Sequence, residues 1–157
     1  GQVSEFGKFM DALADKVLTM GMFVSLLALG ALEKWSLFLI LLILSREFLI
    51  TGLRLVAAAK GKTLAAEKIG KIKTVIQLLC ISLVLGQLAM EADGNRFLTQ
   101  DTNVRVIEIL QWSGQVTLVF ATLLTVSSGI VYLIKYWNTM MKPYKQFPKI
   151  YNHKKMI

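Results

Sequence analysis

The sequence predicts an all-α protein, a polytopic bundle of transmembrane helices with four helices in these 157 residues. Hydrophobic residues make up 55% of the chain and its mean hydropathy is +0.57. They gather into long runs, whereas a water-soluble bundle shows narrow apolar stripes that alternate with charged faces. Most charges stand at the ends of those runs, as they do where helices leave a bilayer. A net charge of +8 arranged in this way favours anionic lipid headgroups or phosphorylated substrates over nucleic acid.

Crossing the hydrocarbon core takes about 20 residues of apolar helix. The first such segment covers residues 11–32, and its uncharged part opens at Val17. The second covers residues 35–59, anchored by Trp35 and interrupted by Arg46, Glu47 and Arg54. The third covers residues 74–90 and the fourth residues 109–136, with Trp112, Tyr136 and Trp137 near its ends. Residues 31–34 leave room only for a helical hairpin. Asp93-Gly94-Asn95 reads as a turn, and Asp101 or Thr102 as the cap of the helix that follows. Pro143 and Pro148 divide the chain into a membrane domain, residues 1–137, and a basic cytoplasmic tail, residues 138–157. Cys80 has no second cysteine to pair with, and His153 is the one histidine, which disfavours zinc sites and triads built on imidazole.

Loop charges orient the bundle. Lys60, Lys62, Lys68, Lys71 and Lys73 crowd one connection, and Lys142, Lys145, Lys149, Lys154 and Lys155 fill the tail. The opposite ends carry few basic residues, so the positive-inside rule puts the N-terminus, the connection and the tail in the cytoplasm. Asp11, Asp15, Arg54 and Lys71 fall on that same side.

Gly7, Asp11 and Asp15 recur at i, i+4 and i+8, along one helix face at the entry to the first apolar segment. Such acids serve either as a solvated polar cap, aided by Lys8 and Lys16, or as oxygen ligands of a hard divalent metal, Mg2+ or Mn2+. Arg46 and Arg54 inside the second helix carry an insertion cost of roughly 2.5–3.5 kcal/mol each if centrally placed. Glu47 and Arg54 face the same way, which allows a neutralising pair within the helix or with a neighbouring one; alternatively, Arg46 and Arg54 line a cavity that takes phosphate in forked contacts. Thr51-Gly52 between them allows close helix approach. Gly70-Lys71-Ile72-Lys73-Thr74 opens the next helix with positive charge and free backbone N–H groups, without the glycine spacing of a Walker loop.

Gly7-x3-Asp11-x3-Asp15 resembles the second half of the signature of the CDP-alcohol phosphatidyltransferases, D-x2-D-G-x2-A-R followed by G-x3-D-x3-D. The text from Phe6 to Lys16, then Arg46-Glu-Phe-Leu-Ile-Thr-Gly-Leu-Arg54 and Gly70-Lys-Ile-Lys-Thr74, is similar to the branch whose acceptor is glycerol 3-phosphate. The resemblance covers about Phe6 to Gln77 with strong local motifs, and beyond that mainly hydropathy. It implies a six-helix membrane fold, a homodimer, and a two-metal site facing the cytoplasm of a bacterium from its plasma membrane. It also implies transfer of a phosphatidyl group from CDP-diacylglycerol to glycerol 3-phosphate. Asp11 is then a metal ligand, and Asp15 both a ligand and the general base. Arg46, Arg54 and Lys71 surround the acceptor's phosphate, and Gly7 packs the helix at the site. D-x2-D-G-x2-A-R does not occur in these residues, so the expectation is part of a longer enzyme, inactive alone. A synthase with another acceptor, such as inositol phosphate, and a non-catalytic membrane subunit are the competing readings.

Orientation is testable by labelling. Cysteines placed at Lys62 and Lys145 should react with an impermeant thiol reagent only from the cytoplasmic side, and one near Gly94 only from the opposite side. Labelling of position 62 from outside would reverse the topology.

Overall fold

Among the described residues the chain forms four α-helices: α1 Glu5–Ala28, α2 Ser36–Ala59, α3 Lys68–Asp93 and α4 Gln100–Met141, with a 3-10 turn at Gly94–Arg96 between the last two. The computed structural model describes residues 5–59, 68–96 and 98–141, and no strand occurs among them. The lysines at 60 and 62 and those of the tail lie outside the described residues.

α1 and α2 form the expected hairpin, and its geometry is set at Gly30. The Ala31 N–H donates to the Leu26 carbonyl (3.1 Å) and the Gly30 N–H to the Leu27 carbonyl (3.1 Å), while Gly30 takes a φ of 75°. This is a Schellman ending, which closes two carbonyls that the helix leaves open and needs a left-handed residue after the last turn. Leu26 and Ala31, the two side chains that such an ending brings together, are both buried. Ser36 then starts α2, its N–H bonded to the Glu33 carbonyl at 2.9 Å.

Helix boundaries run longer than the apolar runs. α3 begins at Lys68, so Ile72, Lys73 and Thr74 lie inside the helix and its free N–H groups belong to the turn before them. α4 begins at Gln100 because Thr99, and not Asp101 or Thr102, occupies the cap: the Asn103 N–H donates to the Thr99 carbonyl at 2.9 Å. Residues 100–108 are polar enough to hide this extension from a hydropathy reading. Among the described residues three helical stretches are long and apolar enough to cross a membrane, Ser36–Ala58, Ile72–Asp93 and Gln100–Trp137. α1 falls short among the described residues, since its uncharged part starts only at Val17 and the helix ends at Ala28. The protein is an integral membrane protein.

The helices pack around a square. α3 lies against α4 and, less extensively, α2 lies against α4, while α1 touches α2 and α3. Among the described residues α2 and α3 do not approach closely at the backbone, nor do α1 and α4, so these pairs face each other across the diagonals. Met20, Phe23 and Leu26 of α1, Ile40 and Ile43 of α2, Cys80, Ile81 and Val84 of α3 and Leu118 of α4 fill one part of the interior. Large apolar side chains also cover the outside, among them Leu18, Phe38, Val75, Ile109, Phe120 and Ile134, as suits contact with lipid.

Gly30 has open space around it, so a methyl group there meets only the backbone preference. Gly30→Ala should destabilise the bundle by about 1–2 kcal/mol, the left-handed penalty of an L residue. A lowered thermal midpoint in detergent checks this; an unchanged or higher midpoint would contradict the Schellman ending.

Candidate active site

Glu47 stands where the diagonals of the square cross. α2 brings it to the interior, 7% exposed, halfway along a mainly apolar helix. Lys16 of α1 reaches one carboxylate oxygen at 3.1 Å, and the other accepts both Arg46 of α2, at 3.2 Å, and Lys73 of α3. Arg46 also donates to the Ser128 hydroxyl of α4 at 3.1 Å. Side chains from all four helices thus meet around one carboxylate. Three cations, each from a different helix, gather on it.

One helical turn further along α4, Tyr132 holds Arg54. The Arg54 Nε donates to the Tyr132 hydroxyl at 3.3 Å, and the guanidinium carbon lies 5.4 Å from the ring centroid, within cation–π range. Tyr132 is itself buried and rests against Tyr136, with ring centroids 4.6 Å apart. Arg46 and Arg54 therefore both reach α4 from α2. Glu47 does not neutralise Arg54 as the sequence allowed, because Lys16 and Lys73 enter from neighbouring helices and take its oxygens. Gly52 does not mediate a close helix approach either, since nothing lies within 4 Å of where its Cβ would be. That role falls to Gly129 of α4, where a Cβ would sit 2.7 Å from Cγ of Arg46.

Asp11 and Asp15 lie exposed on α1, with Gly7 on the same open face. Carboxylates one turn apart bring their Cβ atoms within about 6 Å. Oxygen donors without thiolate or imidazole fit a hard divalent cation, as half of a ligand set. Among the described residues no group of three or more His, Cys, Asp or Glu side chains gathers to hold a metal. Lys16 follows Asp15 directly in α1, and the Asp15 charge lies close enough to act on both Lys16 and Lys73. The side chain of Lys71 lies outside the described residues.

The sequence reading did not single out Lys16, Lys73, Ser128 or Tyr132 for this cluster. The two lysines look like ordinary charges at the ends of apolar runs. On α4, however, Thr122, Thr125, Ser128 and Tyr132 repeat at helical spacing and are all buried, a polar stripe on an apolar helix that marks its inward face.

The sequence profile described as CDP-alcohol phosphatidyltransferase matches residues 1–136. The chain belongs to this family. Among its relatives, the CDP-diacylglycerol–glycerol-3-phosphate 3-phosphatidyltransferase of Bacillus subtilis is 35% identical over 139 residues, 88% of this chain and 62% of that protein. The protein of the same name from Rickettsia bellii is 30% identical over 83% of this chain and 62% of its own length. A probable phosphatidylglycerophosphate synthase of Mycobacterium tuberculosis is 40% identical over 83 residues, 53% of this chain and 38% of that protein. The chain thus spans about 62% of the length of the first two of these family members. No solved structure matches it.

Because Gly129 leaves no room for a methyl beside the stem of Arg46, Gly129→Ala should lower stability in detergent by about 1–3 kcal/mol, an overpacking penalty that outweighs the better helix propensity of alanine. A stabilised variant would show that Arg46 does not lie across this glycine.

Proposed function

We propose that this chain takes part in transfer of a phosphatidyl group from CDP-diacylglycerol to sn-glycerol 3-phosphate, giving phosphatidylglycerophosphate and CMP. The observation that carries this reading is the placement of an acid-bearing helix face beside a cluster of three cations drawn from three helices. Such a cluster suits a phosphorylated acceptor, and the names of the relatives from Bacillus subtilis and Rickettsia bellii specify the same acceptor.

In this reading Arg46 and Arg54, with Lys71 by its position in the sequence, receive the phosphate of the acceptor in charge-assisted contacts. Asp15 takes the proton from the acceptor hydroxyl. The oxygen attacks the phosphorus that carries the diacylglycerol, the bond from that phosphorus to the CMP oxygen breaks, and CMP leaves. Asp11 and Asp15 would hold Mg2+ or Mn2+, which when bound neutralises charge on the phosphate oxygens. The surrounding apolar helices keep the acyl chains in the bilayer while the polar cluster excludes them. The basic connection and tail support a site that faces the cytoplasm from a bacterial plasma membrane, and the family resemblance supports a homodimer.

The test is release of CMP, dependent on glycerol 3-phosphate, by a full-length enzyme carrying this sequence in mixed micelles with magnesium or manganese. Asp15→Asn should reduce turnover by about 10²–10⁴-fold or more, the scale of a lost general base. Asp11→Asn should raise the metal concentration required. Arg54→Ala should raise KM for the acceptor by about one to two decades, the loss of a charge-assisted contact of roughly 1.5–3 kcal/mol. No acceptor-dependent CMP release from the unsubstituted enzyme would refute the reading.

A further inference from the structure

We propose that Glu47 is the positioning residue of the acceptor-phosphate site: it touches no substrate, and by gathering Lys16, Arg46 and Lys73 it holds Arg46, one of the contacts to the acceptor's phosphate, in place. This rests on the acceptor reading above. Three features of the cluster carry it.

Both oxygens of Glu47 are already occupied, one by Lys16 and the other by Arg46 and Lys73. A carboxylate engaged in this way, and buried, is neither an open base nor an open metal ligand. Its three cations come from three different helices, so no local sequence feature fixes their separation. Lysine and arginine stems are long and flexible, and like charges brought this close separate unless an anion stands between them. Finally, Lys16 is the neighbour of Asp15, so the ion pair that holds Lys16 also fixes the rotation of α1 about its axis, and with it the direction of the acid face.

Positioning and simple charge predict opposite outcomes. Removing a carboxylate makes the cluster more positive, which by itself strengthens the hold on an anionic acceptor. Loss of positioning weakens it. In a full-length enzyme carrying this sequence, saturated with CDP-diacylglycerol and magnesium in mixed micelles, KM for glycerol 3-phosphate is compared for Glu47→Gln and Glu47→Asp. The aspartate keeps the charge and shortens the reach. Both variants should raise KM by about tenfold or more, the loss of at least one charge-assisted contact, with a smaller fall in kcat. A lower KM in Glu47→Gln would make Glu47 a charge regulator and overturn the proposal. A lowered thermal midpoint with KM unchanged in both would make it a structural tie only, and overturns it equally. Should Glu47→Gln not yield folded protein, Glu47→Asp decides alone, and an unchanged KM there refutes the positioning role. The acceptor reading fails separately, if the unsubstituted enzyme does not respond to glycerol 3-phosphate at all.

Discussion

A single buried carboxylate holds this bundle together at its centre. In lipid the apolar side chains gain little by leaving the membrane for the protein interior, so helix association depends on close packing and polar contacts. Glu47 ties α2 directly to α1 and α3, and to α4 through Arg46 and Ser128. A buried ion pair is a weak source of net stability, because desolvation offsets most of the attraction. Breaking one is a different matter: an unpaired buried charge is destabilising by roughly 3–5 kcal/mol. The arrangement therefore specifies which helices meet, and at what rotation, more than it adds to stability. The lack of close backbone contact between α2 and α3 makes this plain, since Lys73 bridges that diagonal to Glu47.

The same cluster joins architecture to chemistry. Its cations gather on Glu47 beside the acids of α1. Arg54, one step away, is held by an aromatic hydroxyl and ring. Cations gathered inside a low-dielectric bundle suit reactions at phosphorus, where negative charge accumulates on oxygen.

Much of this was legible in the sequence, for identifiable reasons. Helix count and hairpin follow from run lengths and from the short 31–34 connection, because a bilayer imposes a minimum span. Asp11 and Asp15 stand out because acids at helical spacing are conspicuous next to uncharged residues, and Arg46 and Arg54 because charges within an apolar run are expensive. Partner choice was not legible. Whether Glu47 pairs with Arg54 on its own helix or with lysines from two others depends on which helices adjoin, and periodicity within one helix carries no such information. The start of α4 at Gln100 was hidden for another reason: hydropathy records where lipid begins, whereas hydrogen bonding continues past it.

The ties between α2 and α4 also bear on motion. Ser36 bonds to Gln115 at 3.1 Å, Arg46 to Ser128 and Arg54 to Tyr132, in the same order along two helices that run in the same direction. A slide of one helix past the other by a single turn, about 5.4 Å, would break all three together. Piston-like movement between these helices is thereby closed off. The ion pair of Lys16 with Glu47, placed just beyond the two acids, hangs α1 on the same locked pair. The height of the carboxylates in the bundle is therefore set by a helix that cannot slip along its partner.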